Sequence, residues 1–284
     1  MTLTKALGCT TNALAIFGLL CTAFFTACAP GCGPSSTPPA DKSASVPSAT
    51  ADKTAPAPAA TTPAPAVDPA SAATITGKVA FSGTEPPKVV IRMEADPNCK
   101  AIHGTNQVFT EDVVVNANKT LRNVLVYVSA GVTGTFPIPA ETWVLDQKGC
   151  QYHPHVWGVR VRQKGEILSS DATNHNVHPL PKNSKLPNMG MPNKGEKRPI
   201  TITKAEFSPP VQFKCDVHPW MTAYCGAFDH PFFAVTDDQG NFKIGGLPPG
   251  KYTLTAWHEK YGEQKKEVEV AAKDSKAVDF DYKG

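Results

Sequence analysis

After residue 73 the chain alternates apolar and polar residues with a period of two, the signature of strands with one buried face. Segment 74–81 places Ile75, Val79 and Phe81 on one side and ends at Ser82-Gly83. A Pro-Pro turn separates it from a second expected strand over 88–93, and Val113-Val114-Val115 reads as another. In 122–128, Val124, Val126 and Val128 share a face, and 142–145, 155–161 and 200–203 continue the pattern. In 210–215, Val211, Phe213 and Cys215 point one way while Gln212 and Lys214 point the other. Five more segments follow, at 230–236, 241–244, 251–257, 267–270 and 277–282. No run of ten or more residues carries helical periodicity with caps. Short strands at about ten-residue spacing, punctuated by Gly and Pro, predict an all-β fold of the sandwich type. The run 180–199, rich in Pro, Asn, Lys and Gly, is too long and polar for a hairpin turn and is expected to flank one end of the sandwich.

The first 73 residues have a different character. Residues 1–27 carry a single charge, Lys5, and an apolar core over 13–25 that is too short for a comfortable bilayer span, which reads as a secretory signal. Phe25-Thr26-Ala27-Cys28 resembles a bacterial lipoprotein processing site, which implies lipidation of Cys28 and a membrane anchor, although Leu is usual where Phe25 stands. Simple cleavage near Ala27 and a retained helix are the alternatives. Residues 28–73 are an Ala/Pro/Ser/Thr tether with almost nothing apolar to bury, able to span on the order of 100 Å when extended. The expected location is exported, periplasmic or at the cell surface. The expected division is signal 1–27, tether 28–73, one β domain over 74–229 and a second β region over 230–284.

The net charge is +3, and the three lysines and three aspartates of residues 1–73 cancel, so the globular part also carries +3. That is too mild to imply nucleic acid. Four cysteines lie in or beside the leader and four, Cys99, Cys150, Cys215 and Cys225, in the globular part, with no CxxC pair to suggest a zinc ribbon or a thioredoxin motif. Cys99 and Cys150 both follow turn-like residues, and in an exported protein a Cys99–Cys150 disulfide is the preferred pairing, worth on the order of 3–4 kcal/mol for the loop it closes.

The candidate chemistry lies in Cys215-Asp-Val-His218-Pro-Trp-Met221 and, upstream, Asn174-His175-Asn176-Val177-His178. A thiolate, two imidazoles and a thioether form the donor set of a mononuclear copper site for electron transfer, because soft sulfur suits Cu(I) and imidazole suits both oxidation states. Taken singly, Cys215 is also able to bridge to Cys225, His218 to be a surface histidine and Met221 a core residue. The combined spacing resembles the cupredoxin (type 1 blue copper) family, and the short ligand loop is most similar to that of amicyanin. The resemblance covers about 165–225 and implies His175, Cys215, His218 and Met221 as ligands of one copper ion. It implies Asn176 as the residue tying the two ligand loops together. It also implies a solvent-facing edge of His218, framed by Pro219 and Trp220, where redox partner proteins dock. His178 competes with His175 for the upstream position. A full ligand set leaves no open position for substrate, so an enzyme is not expected; His153-Pro154-His155 does not supply the further copper centres of a multicopper oxidase or nitrite reductase. Copper buffering, and a purely structural binding module, are the alternative functions.

Thr236-Asp-x-x-Gly-x-Phe-x-Ile-x-x-Leu-Pro-Pro-Gly-Lys-Tyr-x-Leu254 is similar to the carboxypeptidase regulatory-like (transthyretin-like) β-sandwich, and Thr76-Gly-Lys-Val79 resembles that family's first strand. The implied architecture is a cupredoxin-like Greek-key sandwich with an additional or discontinuous Ig/transthyretin-like sandwich, in which 230–284 meets strands near 74–93. Trp257-His258-Glu259 is expected to be a packed strand end, with a polar cluster near the site as the alternative.

Overall fold

The structure is a computed structural model, and it describes residues 70–284. The expected signal, Cys28 and the tether up to residue 69 lie outside the described residues, and Ala73, expected at the tether's end, already opens the first strand. The all-β class holds: among the described residues seventeen strands form four sheets, and the helix is confined to Pro97–His103. The strand expected over 200–203 is shifted to Lys197–Ile200, and two others do not form. Val90 makes an isolated bridge to Phe109, and Val115 one to Leu121. Val89 and Val90 are exposed, while Val113 and Val115 pack half-buried against one of the cores; neither run finds a partner strand for its β propensity. The helix at Pro97–His103 is too short to show periodicity in the sequence. Its start is nevertheless written there, since Asp96 accepts hydrogen bonds from the amides of Asn98 (2.8 Å) and Cys99 (3.1 Å), with Pro97 at the first helical position.

Two sandwiches emerge from the strand pairing. In the first, a five-stranded sheet runs Val156–Arg160, Thr222–Phe228, Glu206–Lys214, His175–Leu180, Met189–Met191. It shares a core with the sheet Gln151–His153, Trp143–Lys148, Gly165–Ser169, Lys197–Ile200, and that core includes Leu145, Ile167, Val177, Phe213, Cys215 and Met221. In the second, Ala73–Phe81 pairs antiparallel with Asn241–Leu247 and parallel with Ser275–Ala277 and Phe280–Tyr282. The facing sheet runs Phe233–Val235, Leu125–Ala130, Gly250–His258, Gly262–Val270. Ile75, Val79, Val126, Val128, Leu254 and Phe280 fill the space between them.

The region expected over 230–284 meets the early strand Ala73–Phe81. Ala73–Phe81 and Leu125–Ala130 belong with the C-terminal strands, and the first sandwich is an insertion within the second. The inward faces of these early strands, Ile75/Val79 and Val126/Val128, are matched by Ile244 and Leu254 of the late ones. The seam holds Leu125, Tyr127, Val156, Phe228 and Trp257. Glycine makes the close approach possible. Gly158 and Gly226 are register partners on neighbouring strands, and a side chain at either position would meet the Phe233 ring at 2.4 Å or Leu125 at 2.6 Å.

His258 closes its strand at 1 % exposure and accepts at Nδ1 from the amides of Lys260 (3.1 Å) and Tyr261 (3.4 Å), which requires a neutral ring. Burial first, and then the charge of His155, pull its pKa from 6.5 to about 4. The folded state resists a proton that the unfolded chain takes up. The associated stability is present in full above pH 6.5 and is lost as pH falls toward 4, on the order of 3 kcal/mol over that window. Urea unfolding at several pH values is expected to show a shallower acid loss in His258→Gln than in the parent chain; parallel curves would contradict it.

Candidate metal centre

Three donors converge at one end of the first sandwich. Cys215 directly follows strand Glu206–Lys214, and Met221 directly precedes Thr222–Phe228. These strands pair with Lys214 opposite Thr222, so residues 215–221 form the hairpin loop. The Cys215 amide donates to the Met221 carbonyl (3.2 Å), and the Met221 amide donates to the His218 carbonyl (2.9 Å). The loop is thereby folded over the Cys215 sulfur, which also accepts from the amides of His218 (3.3 Å) and Asn176 (3.5 Å). His175 arrives on the neighbouring strand, His175–Leu180, which pairs with Glu206–Lys214. Nδ1 of His175 lies 3.0 Å from Nδ1 of His218, and that nitrogen lies 3.8 Å from Cys215 Sγ. His175, Cys215 and His218 are 0 %, 2 % and 1 % exposed, and Met221 is buried in the same core.

Strand alternation separates the two upstream histidines. Residues 175, 177 and 179 face inward, and 178 faces out. His178 is held at the surface by Asp216 (2.9 Å), away from the thiol. Replacing His175 by alanine is expected to weaken copper binding by more than the roughly 10–100-fold cost of losing a supporting hydrogen bond, while His178→Ala leaves it within a few-fold, as read by competition with a chelator. Equal losses in the two variants would contradict this assignment. Asn176 does tie the loops: its side-chain oxygen accepts from the Asp216 amide (2.6 Å), and its Nδ2 donates to Asp216 (3.0 Å) and Asn188 (2.8 Å).

The outer nitrogen of each imidazole meets a carboxylate. His175 Nε2 lies 3.1 Å from Asp171 Oδ2, and His218 Nε2 lies 2.9 Å from Asp96 Oδ2. A carboxylate accepts, so each Nε2 carries the proton and each Nδ1 turns its lone pair toward the other and toward Cys215. Two lone pairs 3.0 Å apart beside a sulfur need a cation between them, either a proton or a metal. The local electrostatics agree. Burial would lower the His175 pKa, but Asp171 and Cys215 raise it to about 9. Burial would raise the Cys215 pKa, but bonds from His175 and His218 bring it down to about 6. The His218 pKa is also raised, against its burial, by Cys215 and Asp96. This donor set suits copper, which the two imidazole nitrogens and the thiolate sulfur would hold. Among the described residues, His175, Cys215 and His218 form a group of donor atoms within 4.8 Å of one another. His153 sits apart, exposed against the Lys148 carbonyl, and His155 is paired with Glu259; the Trp257-His258-Glu259 segment thus serves the seam through Glu259.

The surroundings depart from the family expectation in one respect. The His218 edge does not face solvent. The Pro97–His103 helix and the Cys99–Cys150 disulfide cover it, with Cys99 Sγ 3.5 Å from His218 Nε2. Trp220 is half-buried, its ring 5.0 Å from that of His218 and its Nε1 donating to the Cys150 carbonyl (3.0 Å), whereas Pro219 is exposed. Cys215 and Cys225 are both free thiols and are not bridged to each other. Asp96 and Asp171 had no signal as partners of the histidines in the sequence. Asp96 reads in the sequence only as part of a turn before Cys99, and Asp171 lies in an irregular turn.

The sequence profile of the Carboxypeptidase regulatory-like domain matches residues 229–283. No curated protein matches the chain. Solved structures similar to part of it include the Cu-containing nitrite reductase of Thermus scotoductus SA-01 (19 % identity over 37 % of this chain and 25 % of that one, TM-score 0.27). A purple cupredoxin from Nitrosopumilus maritimus shows 16 % identity over 30 % and 99 %, TM-score 0.26. Amicyanin from Paracoccus versutus shows 17 % over 36 % and 97 %, TM-score 0.27. The chain thus spans about a quarter of the nitrite reductase.

Proposed function

We propose that this chain is an exported one-electron carrier that holds a single copper ion between His175, His218, Cys215 and Met221. The observation that carries this reading is the convergence of two buried Nδ1 atoms and one thiol, with both outer nitrogens already committed to carboxylates. When bound, copper supplies a one-electron Cu(I)/Cu(II) couple. The chain's part is to hold three donors at a fixed separation, exclude water and suppress rearrangement between the two charge states. The hairpin closure, the Asn176 bonds and the buried surroundings all serve that end. Anchoring through Cys28 and the 28–73 tether would let the globular part meet partner proteins away from a membrane. With His218 covered, a redox partner approaches over exposed Pro219 and half-buried Trp220, and the site performs no catalysis of its own. The covering of His218 also favours a second reading, retention of copper as a buffer. Titration of the copper-loaded chain with a mediator tests the choice. One reversible electron per chain with rapid exchange supports a carrier, and a metal that is retained but exchanges electrons only slowly supports a buffer.

A further inference from the structure

Asp96 and Asp171 come from distant parts of the chain, yet both are locked to the same feature. Asp96 accepts from the amides of Asn98 and Cys99 and from the Thr173 hydroxyl (3.0 Å). Asp171 accepts from the amides of Gly149 (2.8 Å) and Cys150 (2.7 Å). Cys99 and Cys150 are joined, so one disulfide fixes the peptide groups that hold both carboxylates, and each carboxylate fixes one imidazole. Together with the Cys215 thiolate, this places three negative charges around a buried cation. The oxidised ion, with two positive charges, leaves the group at −1; adding an electron takes it to −2 in a medium that tolerates uncompensated charge poorly.

We propose that Asp96 and Asp171 are positioning residues of the metal centre, a pair of bridge-anchored carboxylates that orient both imidazoles and bias the centre toward its oxidised form. The inference rests on the copper reading above. Neither residue touches the metal position; both act through the outer nitrogens, which a lone structural role would not require.

The test uses the full chain loaded with one equivalent of copper. Asp96→Asn and Asp171→Asn are each expected to shift the Cu(II)/Cu(I) balance about tenfold toward Cu(I), a rise of about 59 mV in midpoint potential for a one-electron couple, while the thiolate-to-copper band survives because the four ligands remain. Asp96→Glu is expected to recover part of the shift. Variants that keep the band with an unchanged potential would overturn the proposal. If both Asn variants fail to fold, the nitrogen NMR shifts of His175 and His218 in the metal-free parent decide: protonated Nε2 in both supports the proposal, and an unprotonated Nε2 in either overturns it. A parent chain that gives no charge-transfer band would sink the copper reading itself, an outcome distinct from an unchanged potential.

Discussion

Cys215→Ser is expected to abolish visible colour in the copper-loaded chain and to lower copper affinity by more than any other single substitution. The thiolate is the donor that gives such a centre its intense charge-transfer absorption, and a serine hydroxyl stays protonated and binds Cu(I) poorly. The effect on the fold should be small. Cys215 is buried, but its loop is closed by backbone bonds to Met221 that serine preserves. The two amides that point at the sulfur, from Asn176 and His218, are able to donate to a hydroxyl as well. The measurement is the absorption spectrum of the variant beside its thermal unfolding curve without metal. A variant that stays coloured, or one that loses colour only because it is unfolded, would contradict the assigned role.

Removing the Cys99–Cys150 bridge by Ala at both positions is expected to cost stability and metal together. The bridge closes a sequence separation of 51 residues, which the chain-entropy relation converts to about 4 kcal/mol. Without it the Pro97–His103 helix keeps the contact of His103 with the Gly149 carbonyl (2.7 Å) but loses its covalent tie to the turn at Gly149-Cys150, and Asp96 and Asp171 lose their common anchor. The His218 edge would open to water, so copper should exchange faster with a chelator than in the parent. Denaturant midpoints and copper off-rates, measured side by side, check both parts. A stability loss with an unchanged off-rate would show that the bridge supports the fold alone.

What the sequence revealed follows the range of the interactions involved. The approach of Cys215 and His218 was legible because both lie in one hairpin loop, where local spacing brings them together. His175 and His178 stayed ambiguous until the strand's inward face was known, because that face depends on pairing with Glu206–Lys214. The Cys99–Cys150 pairing was the preferred one because both cysteines follow turn-like residues, and the structure holds it. Asp96 and Asp171 were invisible as partners, because each reaches its imidazole only through tertiary packing. The burial of His218 was hidden for the same reason: the covering helix is a short run of ordinary residues, with a capping aspartate and no apolar period. The all-β class was legible from alternation. The nesting of one sandwich in the other was only hinted at by Thr76-Gly-Lys-Val79, since strand order is set by pairing between the two ends of the globular chain, as in Ile75 opposite Ile244.

The most direct measurement is a titration of the metal-free full chain with Cu(II), followed by visible absorption and electron paramagnetic resonance. The account predicts a strong thiolate-to-copper band that grows linearly and stops at one equivalent, with the narrow hyperfine splitting of a copper–thiolate centre. A colourless complex, or a signal that saturates at a different stoichiometry, would contradict a single copper ion held by His175, Cys215, His218 and Met221.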